Sequence, residues 1–137
     1  MASNKDIIQA TYEAAPEAKV QRLREALAPD AVWTEAAGFP YGGTYVGPDA
    51  ILANVFHRLA TEWDGYKAEV HTYLEDGDQV AAFGRYSGTY RATGRSMTAA
   101  FAHLYRLEDG RIVRMEQVVD SAMVRAALPA PRSPRAR

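Results

Sequence analysis

The sequence predicts an α+β domain in which N-terminal helices and a cone-shaped, curved antiparallel sheet enclose one pocket. The apolar residues recur at helical spacing over the N-terminal half, and from Tyr66 onward they alternate with a period of two. Short turns rich in Gly and Asp join the alternating segments, as in antiparallel hairpins. Segregated helices and antiparallel strands define the α+β class.

The N-terminal part is predicted to hold helices and one short strand. A Ser3 cap followed by Asp6 begins the first helix, and Pro16 either ends this helix or begins the second. Ala31–Glu35 is predicted to be a strand. Ala36–Gly47 is predicted to be a flexible loop, because it is too rich in Gly and Pro for regular structure.

A third helix is predicted from Pro48 to Asp64, and a meander follows it. Asp120 is placed to cap a last short helix that runs to Leu128. The predicted strands of the meander are Tyr66–Glu75, Gln79–Thr93, Ser96–Leu107 and Arg111–Val119.

The composition limits the class of protein. The chain has 137 residues, and because none of them is cysteine, thiolate chemistry is excluded. The net charge of −1 argues against a clustered basic surface for nucleic acid. No apolar run is long enough to span a membrane, and the first residues lack an apolar signal core, so the expected compartment is the cytoplasm. Residues 1–128 are predicted to form the pocket domain, and residues 129–137 a flexible tail rich in Pro and Arg.

Strand alternation predicts which side chains point into the pocket. His103 lies on the more apolar face of its strand. Gln117 lies on the apolar face of the last strand, where it needs a hydrogen-bond partner. Gly84 and Gly88 share one face of one strand and favour a bend there.

The opposite sheet face is not fully polar. Phe83 and Leu104 point outward by phase and lie among alanines. An exposed apolar patch of this kind usually marks an interface, so the sequence predicts a homodimer through the outer sheet face. The alternative is that the chain itself covers Phe83.

Several short runs resemble SnoaL-like proteins of the nuclear transport factor 2-like superfamily, which also holds ketosteroid isomerase and limonene epoxide hydrolase. The resemblance spans about residues 5–128 and implies a cone-shaped barrel with a deep pocket, commonly dimeric. It does not imply one function, because the fold hosts isomerases, cyclases, hydrolases and binding modules. The runs that carry it are Tyr41–Ile51, Gly84–Tyr90, Phe101–His103, Asp109–Ile112 and Val119–Ser121.

The ketosteroid isomerase pattern implies three site residues. Glu35 falls in the slot of the catalytic base, Tyr12 near that of the oxyanion tyrosine, and His103 in that of a protonated aspartate. All three can exchange or share protons. Glu35 and His103 differ in type from that family's residues, so the resemblance does not carry steroid isomerisation itself.

Each catalytic candidate has a structural alternative. A desolvated Glu35 would have a raised pKa and act as a base, or it is a rim carboxylate paired with an arginine. His103 is a catalyst or a satisfied core residue. Asp120 is a further candidate, because SnoaL-like cyclases use an aspartate as acid and base, although its phase favours a helix cap.

The predicted ligand-binding residues are inward-facing side chains, mostly aromatic. Aromatic residues at this spacing also build cores, but a phenol adds a hydrogen-bond donor inside an apolar pocket. The histidines share no face, so no metal site is predicted. The predicted set is Trp33, Phe56, Trp63, Tyr86, Tyr90, Phe101, Tyr105, Met115 and Gln117.

Two functions from different classes stay open. In the first, an isomerase or cyclase without a cofactor acts on a small apolar or carbonyl-bearing molecule. Glu35 moves a proton next to the carbonyl while His103 and a tyrosine hold the enolate oxygen. In the second, the pocket binds a small molecule without turnover. Epoxide hydrolysis ranks behind isomerisation and cyclisation, because Arg85 points outward by phase and leaves the required arginine–aspartate trio without an obvious counterpart.

Overall fold

The computed structural model describes residues 2–130, so the predicted tail lies outside it from residue 131 onward. A 3₁₀ turn, Pro16–Ala18, precedes the second helix, and a π-helical segment, Leu52–Phe56, joins the third to the fourth. The helices are α1 Asn4–Glu13, α2 Lys19–Ala26, α3 Pro48–Ile51, α4 His57–Glu62 and α5 Ser121–Arg125. The strands are β1 Leu27–Glu35, β2 Gly43–Val46, β3 Trp63–Asp76, β4 Gln79–Tyr90, β5 Ser96–Glu108 and β6 Arg111–Val119.

The first helix begins at the predicted cap. The Ser3 hydroxyl accepts from the Asp6 backbone N–H at 3.0 Å, and the Asp6 carboxylate accepts from the Ser3 N–H at 3.3 Å. This reciprocal capping box satisfies two N–H groups that have no partner within the helix. Ile8 on α1 is fully buried, so α1 packs against the core.

The six strands form one open sheet in the order β2-β1-β6-β5-β4-β3. The meander from β3 to β6 is antiparallel, as predicted, but β1 pairs with β6 in parallel. A parallel pair needs a crossover connection, and the helices and strands between β1 and β6 supply it. The α+β class is therefore confirmed, with one parallel pair that the prediction of an antiparallel sheet missed.

Several local predictions were wrong. The last helix, for instance, ends at Arg125 and not at Leu128. The Ala36–Gly47 segment is not a flexible loop without regular structure: it contains β2, which pairs with β1, and buries Phe39 and Tyr41 to 3% and 1% exposure. The third helical region ends at Glu62, since Trp63 already pairs with Tyr90 in the sheet. The strand predicted at Ala31–Glu35 begins earlier, directly after α2.

At Gly84 the backbone of β3 lies close against β4. A Cβ at this position would lie 2.1 Å from the backbone oxygen of Glu69. The pairing of β3 with β4 shifts register between Val70 and Thr72, directly opposite. A bulge bends its strand, and only glycine permits this approach.

Buried residues of the helices and of the inner sheet face form one core cluster. It includes Ile51 and Val55 from the helical side and Leu107, Ile112 and Met115 from β5 and β6. In residues 2–130 no helix combines the length and the apolar character needed to cross a membrane.

Candidate active site

A cavity of about 500 Å³ lies between the helices and the inner face of the sheet. Most side chains around it are aliphatic or aromatic, which suits a small apolar ligand. Eight of the residues predicted for the site line it: Tyr12, Trp33, Glu35, Phe56, Trp63, Tyr86, His103 and Tyr105.

The other predicted site residues do not line the cavity. Phe101 lies behind it, stacked on Tyr86 with 4.2 Å between ring centroids, and Tyr90 packs on Trp63. Met115 is fully buried in the core. Two polar candidates also lie outside the lining, and both have structural partners.

Asp120 is exposed, and its carboxylate accepts from the Met123 backbone N–H at 3.4 Å, which is the cap position predicted for it. Gln117 is buried and holds two groups together. Its side-chain oxygen accepts from the Ala36 N–H at 2.9 Å, and its amide donates to the Tyr86 hydroxyl at 2.8 Å. The predicted need of Gln117 for a partner is thus confirmed, and the partners are protein groups.

Glu35 is a carboxyl group buried in the cavity wall. It is 4% exposed, and no Arg, Lys or His within residues 2–130 forms an ion pair with it. Burial raises its pKa to about 7, and a hydrogen bond from the Trp33 indole N–H, at 2.8 Å, offsets part of that rise. The alternative prediction, that Glu35 is a rim carboxylate paired with an arginine, is therefore wrong for the described residues.

His103 lies between two phenols. Its Nδ1 is hydrogen-bonded to the Tyr12 hydroxyl and its Nε2 to the Tyr86 hydroxyl. The imidazole is buried, and desolvation lowers its pKa to about 3. The ring is thus neutral near pH 7, with one N–H donor and one acceptor nitrogen.

These bonds belong to a longer network, the phenol–histidine network, which contains Tyr105, Tyr12, His103, Tyr86 and Gln117. Tyr105 and Tyr12 share a hydrogen bond of 2.6 Å between their hydroxyls, and Gln117 ends the network at Tyr86. Burial raises the pKa of each of the three phenols, so they are protonated at neutral pH.

The phenol–histidine network contains one more donor hydrogen than its hydrogen bonds use. Its four hydrogen bonds need four hydrogens, but three phenols, one neutral imidazole and one amide N–H supply five. The imidazole N–H and the amide N–H each point at a phenol oxygen. The spare hydrogen therefore belongs to a phenol, and all three phenols line the cavity.

Tyr66 lines the same cavity, and it was not among the residues predicted for the site. Its hydroxyl is buried and has no hydrogen-bond partner within the described part of the chain. Leaving a buried hydroxyl unpaired costs about 1–3 kcal/mol. The available signal was its phase, since Tyr66 shares a strand face with the partly buried Ala68 and Val70.

Basic side chains form part of the lining that sequence reasoning also missed. Lys19, Lys67 and Arg91 line the cavity, and all three are exposed, which places them at its entrance. Lys67 and Arg91 form ion pairs with neighbouring carboxylates. The exposed part of the described lining thus carries three basic side chains, two of them paired with carboxylates, and the buried part is mostly apolar and contains the carboxyl group of Glu35.

A six-stranded open sheet whose inner face is covered by N-terminal helices around a cavity is the architecture of nuclear transport factor 2-like proteins. The chain superposes on such a protein from Burkholderia thailandensis with a TM-score of 0.90 and 41% identity, over 95% of this chain and 100% of that one. Residues 8–115 match the SnoaL-like domain, and the chain belongs to this family.

Two further relatives have a more specific description. TerC, crystallised with polyporic acid, superposes with a TM-score of 0.78 and 26% identity over 90% of this chain and 96% of that one. Patulin synthesis protein F of Aspergillus clavatus is 29% identical over 85 residues, which are 60% of this chain. The match spans 42% of the length of that relative.

Proposed function

We propose that this protein binds a small, largely apolar molecule with a carbonyl group and moves a proton on the carbon beside it. The reaction needs no cofactor and belongs to the isomerase or cyclase type. One observation carries the proposal: a buried carboxyl group with a pKa of about 7 shares a cavity with a phenol–histidine network that has one hydrogen to spare.

Glu35 has the properties of a general base. Near neutral pH about half of it is ionised, and a base with its pKa near the working pH combines availability with strength. One carboxylate oxygen accepts from Trp33, which fixes the orientation of the group. The other oxygen has no hydrogen-bond partner among residues 2–130, and we assign the substrate proton to it.

The phenols supply the complementary charge stabilisation. Removing a proton beside a carbonyl places negative charge on the oxygen, and a prearranged donor in a dry site lowers that barrier most. Tyr86 and Tyr105 line the same cavity as Glu35. Burial raises the pKa of both phenols, and the charge of Glu35 raises them further.

The relatives support a small organic ligand. TerC was crystallised with polyporic acid, and the Aspergillus relative is described by its part in patulin synthesis. Both descriptions concern small molecules, which agrees with a cavity of about 500 Å³.

The test is proton exchange. Enolisable cyclic ketones and lactones are incubated with the protein in D₂O, and deuterium incorporation is followed by NMR. Glu35→Gln keeps the volume and removes the base, so exchange should fall by about 10²-fold or more while binding persists. Glu62→Gln is the control, because this carboxylate bonds to Tyr41 and Arg58 and does not line the cavity.

Two results would contradict the proposal. Equal exchange rates in the wild type and Glu35→Gln would remove Glu35 from the reaction. Binding of the ketones without any exchange by the wild type would show a binding protein that uses the same cavity without turnover.

A further inference from the structure

We propose that Tyr66 and Tyr86 together hold the substrate oxygen, so that two phenol O–H groups, rather than His103, stabilise the enolate. This inference rests on the proposed function and deepens it by naming the oxygen site. It makes a ketone or an enol the class of molecule that the cavity selects.

His103 cannot itself donate to a ligand. Both ring nitrogens are already occupied, Nδ1 by Tyr12 and Nε2 by Tyr86. His103 is buried, at 7% exposure, and its ring stacks on Phe101 with 4.4 Å between centroids, so the protein packing holds the ring in place. His103 is therefore a positioning residue that sets the direction of the hydrogen bonds around it.

Tyr66 has a hydroxyl that nothing in the described protein satisfies. The oxygen is buried, lies in the cavity wall and lacks a partner. Native proteins pair nearly all buried polar groups, so an exception beside a cavity indicates a ligand group that completes it. An acceptor oxygen on a bound molecule would serve.

Tyr66 and Tyr86 are neighbours across two paired strands. Their ring centroids are 5.4 Å apart, with the planes inclined at 36°. Gly88 lies against Tyr66 and leaves room beside it, since a Cβ there would lie 3.2 Å from the Tyr66 Cα. Both rings line the same cavity as Glu35.

The Tyr86 hydrogen is available in one tautomer of His103. When Nε2 carries the proton, Tyr86 accepts from His103 and from Gln117, and its own O–H is the spare hydrogen. When Nδ1 carries the proton, Tyr86 must donate to Nε2, and the spare hydrogen moves to Tyr12 or Tyr105. An acceptor oxygen beside Tyr86 therefore selects the Nε2–H tautomer.

The test uses 2-naphthol, an apolar molecule whose ionised oxygen imitates an enolate. Binding is measured in the Glu35→Gln background, where no carboxylate repels the anion. Adding Tyr66→Phe should weaken naphtholate binding about tenfold or more, since hydrogen bonds to charged groups are the stronger class. Tyr90→Phe is the matched control, because Tyr90 belongs to the same aromatic cluster and does not line the cavity.

Stability separates a ligand donor from a structural tyrosine. Tyr66→Phe should leave the urea midpoint unchanged or raise it, because the lost hydroxyl had no partner in the free protein. A tyrosine that held the fold together would lower the midpoint when changed, and that result would count against the proposal.

The tautomer of His103 is a second measurement, and a purely structural role of Tyr66 would not change it. With ¹⁵N-labelled histidine, His103 should carry its proton on Nε2 in the naphtholate complex, and His103→Asn identifies its signals. Three results would contradict the proposal that Tyr66 and Tyr86 are the donors. The first is no naphtholate binding, and the second is equal binding with and without Tyr66→Phe. The third is an Nδ1–H tautomer of His103 in the complex. Weakened naphtholate binding without ketone exchange in the wild type would keep the oxygen site and remove the proposed function.

Discussion

Trp33 and Glu35 stand two residues apart on the same face of β1, and the indole N–H of Trp33 donates to the Glu35 carboxylate at 2.8 Å. Both side chains are buried, and Trp33 is held by edge contacts with Phe56 and Tyr105. The alternation of a strand thus supplies the base and the group that orients it from one short segment. Burial raises the pKa of Glu35 more than the indole lowers it, so the group titrates near pH 7.

Replacing Trp33 should move the pH profile of the reaction. In the wild type the exchange rate should rise with pH and level off above the Glu35 pKa of about 7, because the ionised form is the base. Trp33→Phe removes a bond that favours the ionised form, so the inflection should move to higher pH. Trp63→Phe is the control, since its N–H donates to Tyr41. An unchanged inflection in Trp33→Phe would show that the indole does not tune Glu35.

The stability of the protein should also report Glu35. Its pKa rises from 4.5 in the unfolded chain to about 7 in the fold, so the folded state binds more protons between these values and loses stability as pH increases through them. Glu35→Gln lacks this loss. Its stability relative to the wild type should increase by about 3 kcal/mol between about pH 4 and about pH 8.

Urea unfolding at several pH values measures this difference. His103 has a lowered pKa of about 3 and gives the opposite slope, stability increasing with pH up to its unfolded value of 6.5. Because both proteins contain His103, its contribution cancels in the comparison. A constant difference between the two proteins over this range would mean that Glu35 is not desolvated in the fold.

Period and turn chemistry were enough to predict most of the fold. The last strand, Arg111–Val119, was predicted with its observed bounds, and the other meander strands differ by a few residues at their ends. The segment that became β2 was missed, because its order comes from pairing with β1, which no local pattern shows. The parallel pairing of β1 with β6 is likewise a long-range choice.

The sequence predicted which side chains of the site point inward, but not which groups they contact. Phase placed His103 inside, and the resemblance selected Glu35; both are buried. Phase could not tell the cavity wall from the core behind it, so Phe101 and Met115 were assigned to the ligand although they do not line the cavity. Nor could it show that Tyr66 lacks a partner, since a missing bond is a property of the packed structure.

The outer sheet face should carry the predicted homodimer. Phe83 and Leu104 are 38% and 40% exposed, and Val118, paired with Ala102 on the neighbouring strand, is 68% exposed. The double change Phe83→Glu and Leu104→Glu would bury unpaired charges in that interface and should weaken the dimer strongly. Sedimentation of both proteins measures it, with Val20→Glu on α2 as the control. A monomeric wild type would contradict the prediction.

Gly84 should be the glycine whose side chain the sheet tolerates least. A Cβ there meets the backbone oxygen of Glu69 at 2.1 Å, and a backbone atom cannot move aside as a flexible side chain can. Gly84→Ala must therefore push β3 away from β4 at the bulge and should cost more than about 2 kcal/mol, in the range of core overpacking. Gly88→Ala is the matched control on the same strand face. Its Cβ would lie 3.2 Å from the Tyr66 Cα, so a small shift accommodates it and the loss of stability should be clearly smaller. Urea unfolding of the two variants decides the comparison, and equal losses would show that the bulge opposite Gly84 adapts without strain.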